Sequence, residues 1–429
     1  MKVFKFGGAS VKDAEGVRNL TRILRLFDSD QIIIVISAMG KTTNALEDLL
    51  SKAISDEDTQ IGFSALKAYH LNICSDIFEK EDEIYQKLDA LFGQLKVRLD
   101  DASVDRYDFH YDQVVSFGEL LSTSIVEAFV KQEGFDSKWI DVRNFIKTDS
   151  QYRAARVHLD QTEQAIEKLK NHSTQFIITQ GFIGSNEKSQ TTTLGREGSD
   201  YSAALFAYSL KTEELVIWKD VDGVFNADPK VFRNPKLIEQ LSYKEAVELA
   251  FYGASIIHPK TIQPLSERDI ELQVKSFFHP NRIGTKVART IKRLGNPCSI
   301  IVKKNQLLLS LVPRDLSFTD VPNMGKAFEI IAQHRHHINL IQNSAVSFSV
   351  CLDANLHHFD ELLEELQMHF MVRYNLDLVL VTIRNYKTPL VDKIYETIEF
   401  KLEQRNRSTY QILVDENEFA KRLHKLIEM

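Results

Sequence analysis

Covalent and metallic staples are nearly missing from this sequence. Three cysteines, Cys74, Cys298 and Cys351, lie scattered through 429 residues in no metal-like spacing. That excludes a disulfide framework and points to reduced thiols of a cytoplasmic chain. An excess of positive charge is also missing. Lys and Arg number 53 against 60 Asp and Glu, a formal net charge of −7. A face built for nucleic acid would have to overcome that repulsion, so no nucleic-acid partner is expected. No apolar run approaches the ~20 residues that span a bilayer. The longest candidate, residues 32–36, has the length of a buried strand, and no membrane association is expected. Met1 leads directly into the strand-like KVFKF, so no secretory leader is expected. What remains is ordinary globular composition, 43% hydrophobic and 26% charged, in a chain too long for one typical core. Two or three domains are therefore expected.

Strand-like and helix-like periods alternate from the start. Residues 2–6 alternate as a strand and run into Gly7–Gly8. Val17, Leu20, Ile23, Leu24 and Phe27 recur at helical spacing. Residues 32–36 form a continuous apolar run, then a polar loop at 37–43 precedes a helix at 44–54. Strand, loop and helix twice in 55 residues is the signature of an α/β domain with a mainly parallel sheet. From about 58 to 130 the pattern is helical, an insertion on that domain. Strands are expected at 137–142, 175–179, 215–218 and 271–275, with a second hairpin-like strand at Val221–Asp222–Gly223–Val224. Helices are expected at 162–169, 243–251 and 260–267. The texture changes near Asn296–Pro297. Paired strands at 299–312, a helix at 326–334, strands at 338–340 and 346–352, a helix at 359–367 and a strand at 376–383 give the ferredoxin-like βαββαβ order. A reduced second copy follows from 390 to 427. The expected domains are thus 1–293 and 297–429.

The densest chemistry lies at Thr191–Leu205, TTTLGREGSDYSAAL. A flexible turn with Gly195 and Gly198 feeds a helix that Ser199 or Asp200 can cap. The helix start favours an anion, and Arg196 adds a full charge beside it. At the end of the first strand, Lys5 and Gly7–Gly8 offer charge and free N–H groups where ligands bind open α/β sheets. Glu119, near a helix start, can offset the helix dipole or hold an ammonium group. Lys219–Asp220, Asp222–Gly223 and Asp228–Pro229–Lys230 follow a buried strand and, taken alone, also fit plain turn chemistry. Two features mislead. Gly40-Lys41-Thr42 resembles the end of a P-loop, but that motif needs a glycine where Val35 stands. His334, His336, His337, His357 and His358 lack the spacing of a metal site.

In this order the segments resemble the aspartate kinases of the amino-acid kinase superfamily. The matching stretches are KFGGAS (5–10), FGELLST (117–123), ITQGFIGS (178–185) with TTTLGREGSDYSAAL (191–205), WKDVDGVFNADPK (218–230) and EAVELAFYGASIIHP (245–259). The resemblance implies a three-layer amino-acid kinase fold with a helical insertion, followed by a ferredoxin-like ACT region with a shortened second repeat. It implies phosphoryl transfer from ATP, carried with Mg²⁺, to the β-carboxylate of L-aspartate, with no metal site of the chain's own. Lys5 and Asp200 would be catalytic, Asp200 orienting the lysine. Thr43, Glu119, Arg196 and Ser199 would bind aspartate. Lys5, Gly7, Gly8, Ser10, Lys219, Asp220, Phe225 and Lys230 would bind the nucleotide. Many relatives carry lysine where Ser255 stands and threonine where Lys219 stands, so Lys219 is expected to supply the missing charge.

The ACT resemblance also implies a homodimer and an amino-acid effector, lysine or threonine. In lysine-inhibited relatives, carboxylates occupy the positions of Asn339 and Ala345. Dimer formation survives those changes more readily than lysine inhibition does. A kinase for glutamate or acetylglutamate, and an amino-acid-sensing protein without catalysis, are the alternatives.

Overall fold

The computed structural model describes every residue except 28, 29, 255, 256, 292–296, 315–317, 319, 335, 355–358 and 429. Backbone contacts group the chain into two compact units. One comprises Met1–Val224, Leu237–Val247 and Ser255–Lys292; the other comprises Phe225–Lys236, Glu248–Ala254 and Arg293–Met429.

The first unit is built on ten strands: β1 (Lys2–Phe6), β2 (Ile32–Ile36), β3 (Ser137–Ile140), β4 (Phe176–Gln180), β5 (Ile183–Ser185), β6 (Thr191–Thr193), β7 (Glu214–Lys219), β8 (Gln240–Ser242), β9 (Glu271–Ser276) and β10 (Thr285–Ala288). Eight of them form one sheet in the order β3-β4-β2-β1-β7-β9-β10-β8, while β5 and β6 pair as a small hairpin. All neighbours in the large sheet run parallel except β9 and β10. The Ile-rich β2 is buried along its whole length, as a strand covered on both faces must be. Next to it, Trp218 of β7 stacks on Phe6 of β1 at 6.1 Å between ring centres and meets Phe4 edge-on at 5.7 Å. Such pairs add about 0.5–1.5 kcal/mol beyond burial and lock β1 against β7, the two strands that carry the catalytic candidate Lys5 and the nucleotide-binding candidate Lys219.

Among the described residues, the α-helices that begin in this part of the chain are α1 (Ala14–Leu24), α2 (Thr42–Ile54), α3 (Gln60–Ser75), α4 (Glu83–Asp100), α5 (Tyr107–Val115), α6 (Phe117–Gln132), α7 (Leu159–Glu167), α8 (Gly198–Leu210), α9 (Tyr243–Tyr252) and α10 (Pro259–Glu267). Helices α3 to α6 fill the stretch read as a helical insertion. Residues Val104–Gln132 are long and apolar enough to cross a membrane, but 89% of their most apolar window is buried in the protein, which accounts for the composition. Helix α8 is buried nearly all round, from Gly198 through Ala203–Ala207 to Leu210, and it packs on β1, β2 and β7. That burial fixes where its first turn points.

Two expectations fail here. No strand forms at 221–224. Gly223 sits at φ +149°, and the Val224 N–H donates to the Thr285 hydroxyl at 2.8 Å instead of to a strand partner. Phe225–Lys236 was expected in the catalytic domain but belongs to the second unit. There Ile300 N donates to the Asn226 carbonyl at 2.7 Å, and Ala227 and Phe232 join the tail's apolar cluster.

The second unit contains β11 (Ser299–Pro313), α11 (Val321–Gln333), β12 (Ile338–Asn343), β13 (Phe348–Asp353), α12 (Phe359–His369), β14 (Phe370–Arg384), α13 (Thr388–Thr397), β15 (Leu402–Arg405), β16 (Thr409–Asp415) and helical turns over 416–427. One antiparallel sheet runs β12-β13-β11-β14-β16-β15. Residues 299–312, expected as paired strands, form one strand whose register breaks between Lys303 and Gln306, with Asn305 at φ +54°. Its two halves serve different repeats. Leu307, Leu309 and Leu311 pack under α11 and α12. Ile300 packs with Val379, Val381 and Ile383 under α13 and the last helical turns. The second repeat is therefore not shortened: residues 299–303, paired with the end of β14, supply the strand it lacks in sequence order. Among the described residues no group of His, Cys, Asp and Glu suits a metal ion. His334 instead pairs with Glu365 at 2.9 Å. His357 and His358 lie outside the described residues.

Candidate active site

Parallel strands that end side by side bring their loops together, and here the ends of β1, β2, β4 and β7 open beneath the first turn of α8. They surround a cavity of about 580 Å³. Lys5, Gly8, Thr43, Glu119, Arg196, Ser199, Asp200 and Lys219 all line it, joined by Ser37, Ala38, Tyr111, Arg153 and Phe182.

Some of the charges in this wall are paired. Lys5 Nζ lies 2.7 Å from Asp200 Oδ1, and Lys219 Nζ lies 3.5 Å from Asp200 Oδ2. Asp200 is only 2% exposed. Burial pushes its carboxyl up, but the two ammonium groups outweigh that and hold it below its ordinary value. One carboxylate thus spaces two lysines. Beside them, Gly8 is needed for close approach: a Cβ there would stand 2.3 Å from the Ala38 carbonyl oxygen. The Gly8 carbonyl accepts from Gly40 N at 3.0 Å, so the loops after β1 and β2 are clamped together.

Another carboxylate of the same wall has few partners. Glu119, in the first turn of α6, is 3% exposed. Its Oε1 accepts from Ala38 N at 3.1 Å, and its buried Oε2 has no hydrogen-bond partner among the described residues. Burial pushes its pKa up to about 8, against the smaller opposing effects of the Ala38 N–H, its own backbone N–H and the charge of Lys5. A buried oxygen without a donor fits a ligand that brings one, such as an ammonium group.

The turn into α8 differs from expectation. Neither Ser199 nor Asp200 caps the helix. The cap position is Glu197, in the left-handed conformation at φ +54° and without a side-chain cap bond. Gly195 reverses the chain at φ +77°, and Gly198 N donates back to its carbonyl at 3.0 Å. Asp200, within the first turn, is thereby left to face Lys5. Gly7 and Ser10 lie in the β1 turn, with Ser10 N donating to the Gly7 carbonyl at 2.9 Å, but neither lines the cavity. Asp220 is exposed. Phe225 and Lys230 belong to the second unit, and Ser255 lies outside the described residues.

The amino acid kinase family model matches residues 1–276. Lysine-sensitive aspartokinase 3 of Escherichia coli (strain K12) is 32% identical over 356 residues, covering 82% of this chain and 78% of the relative. The chain belongs to the aspartokinases of the amino acid kinase family. Among aspartokinase structures, E. coli aspartokinase III in complex with aspartate and ADP (R-state) superposes with a TM-score of 0.84 at 27% identity, covering 100% of this chain and 98% of that one. Its complex with lysine and aspartate (T-state) gives 0.83 at the same identity, covering 99% and 98%.

The motifs omit two polar residues of the cavity wall, Tyr111 and Arg153. Both lie outside every motif singled out in the sequence, and only the fold brings them to the cavity. The one local sign is Asp112, a fully buried carboxylate that binds the Arg153 loop.

Proposed function

We propose that the chain transfers the γ-phosphoryl group of ATP to the β-carboxylate of L-aspartate, giving 4-phospho-L-aspartate. The observation that carries this is one cavity wall that holds both two lysines spaced by Asp200 and the buried Glu119 carboxylate with an oxygen left without a donor. The acceptor carboxylate has an ordinary pKa of about 4, so it is ionised at neutral pH and no general base is required. What opposes reaction is repulsion between an anion and a polyphosphate. Lys5, held at 2.7 Å by Asp200, places positive charge where the migrating group passes, and Lys219 adds a second charge on the nucleotide side. The first turn of α8 presents its dipole to the same region. A carboxylate oxygen attacks the γ-phosphorus, the bond to the bridging oxygen breaks, and ADP leaves with the electron pair. Glu119 Oε2 receives the substrate ammonium, and Arg196 pairs with a substrate carboxylate. Mg²⁺ accompanies ATP on its phosphates, as suits a cation that keeps several waters.

The tail fits a homodimer. Its edge strand β12 and the neighbouring turn expose Ile341 and Val346, and sedimentation of the full chain tests the pairing. Inhibition by lysine is not part of the proposal. Asn339, where a carboxylate would receive an effector ammonium, already accepts from Lys303 Nζ at 2.7 Å and donates to Gln306 and Asp353, each at 2.7 Å. The three free cysteines accord with a cytoplasmic enzyme.

Coupled ADP release, with hydroxylamine trapping of the acyl phosphate, tests the reaction. Aspartyl hydroxamate should form with L-aspartate and not with L-glutamate or without acceptor. ADP release that is indifferent to aspartate would rule the proposal out, and adding lysine or threonine tests for an effector.

A further inference from the structure

Arg153 stands in the cavity wall, yet no motif of the sequence contains it. Its backbone φ is +66°, a setting costly for a residue with a side chain and sustained only where the surroundings impose it. Asp112, in the last turns of α5, imposes it: the Arg153 N–H donates to both of its carboxylate oxygens, at 3.0 and 3.1 Å. The same carboxylate accepts from Thr193 N at 2.8 Å and from the Thr193 hydroxyl at 2.7 Å. A fully buried acid and a left-handed arginine are two separate expenses of folding, and both serve to aim one side chain.

That side chain is held loosely at its tip. The guanidinium lies 4.4 Å from the centre of the Tyr111 ring and 5.5 Å from that of Tyr107. It reaches Glu47 at 3.4 Å and Asp108 at 3.5 Å, long pairs between groups that are 36–53% exposed. Water screens such pairs, so they yield readily to a better anion. Stacking on Tyr111 keeps the planar fork oriented while that exchange takes place. Position tells which anion. Glu47 lies one helical turn beyond Thr43 on α2, and Thr43, Tyr111 and Glu119 share the cavity wall. The two lysines of the wall are both engaged by Asp200.

We propose that Arg153 is a specificity-determining residue that binds the α-carboxylate of the acceptor amino acid, alongside Arg196, leaving the β-carboxylate to face Lys5. This rests on the aspartate kinase function proposed above. Two arginines from separate loops on the α-carboxylate, with Glu119 on the ammonium, fix two groups of the substrate and leave the third free to react.

The test uses the full chain and two acceptors, L-aspartate and its α-amide, which keeps the ammonium and the β-carboxylate. Arg153→Gly is the informative variant, because glycine accepts the positive φ without strain. Its Tm should equal or exceed that of the wild type, which separates binding from folding. The expected result is a fall in kcat/KM for aspartate of about 10- to 100-fold, the range for one lost charge-assisted contact, with little change for the α-amide. The preference for aspartate therefore shrinks tenfold or more, and Arg153→Lys falls between. A smaller change in that preference, an equal loss for both acceptors, or a matching rise in KM for ATP would overturn the assignment. Failure of the wild type to phosphorylate aspartate would instead overturn the proposed function.

Discussion

Asp200 and Glu119 are both carboxylates, both almost wholly removed from water and both in the wall of one cavity. Their environments drive them in opposite directions. Asp200 faces two ammonium groups that outweigh its burial, and its pKa is held down. Glu119 has only the backbone N–H groups of Ala38 and of its own residue, with the charge of Lys5, against its burial, and its pKa rises to about 8. The difference separates two tasks. A carboxylate already paired can position charge but has nothing left to offer a substrate. A carboxylate with an orphaned oxygen is poorly satisfied until a cationic ligand arrives.

The largest effect should come from breaking the Lys5–Asp200 pair. Lys5→Ala should lower kcat about 10³-fold, the scale of one well-placed stabiliser of developing charge, with KM for aspartate nearly unchanged. Steady-state kinetics check this, and a change confined to KM would remove Lys5 from the chemistry. At the other carboxylate, Glu119→Ala should raise KM for aspartate about 10- to 100-fold, as expected for a lost charge-assisted hydrogen bond, and KM for ATP far less. Equal effects on both would erase the contrast. Lys219→Thr should be milder, raising KM for ATP several-fold to about tenfold. Unchanged ATP affinity would show that Lys219 does not supply the nucleotide-side charge.

Stability should carry the same contrast. Between the ordinary glutamate value of 4.5 and about 8, the folded chain holds a proton on Glu119 that the unfolded chain releases. This group's contribution is therefore fully present below pH 4.5 and is lost as pH rises towards 8. Asp200 works in reverse, its contribution being present above the ordinary aspartate value and lost as pH falls through its depressed one. Tm measured from pH 5 to 8 should fall more steeply for the wild type than for Glu119→Gln, and equal slopes would count against the buried proton.

Much of this was legible before the structure. The glycines after β1, the Lys5 that precedes them, and the turn into α8 are local signals, because a sharp approach to a ligand demands particular residue types over a few positions. The parallel sheet was legible from the apolar run of β2 and the alternation around it. Features that depend on distant partners were not. Asp200 reads as a helix cap because Asp is a common cap, whereas burial of α8 and the left-handed Glu197 place it inside the first turn. The strand that completes the second tail repeat lies about 80 residues before the rest of that repeat, so the repeat looked truncated in sequence order. Arg153 carries no motif, since its position depends on Asp112 reaching it from another element.

The contrast is tested most directly by the pH dependence of kcat/KM for aspartate, measured from pH 6 to 9 for the wild type and Glu119→Gln at saturating ATP. This parameter reports ionisation of the enzyme before aspartate binds. The wild type should rise with an apparent pKa near 8 as Glu119 loses its proton and can receive the substrate ammonium, and the variant should be flat over that range. The same profile in both proteins would contradict the assignment of Glu119 and, with it, the contrast between the two carboxylates.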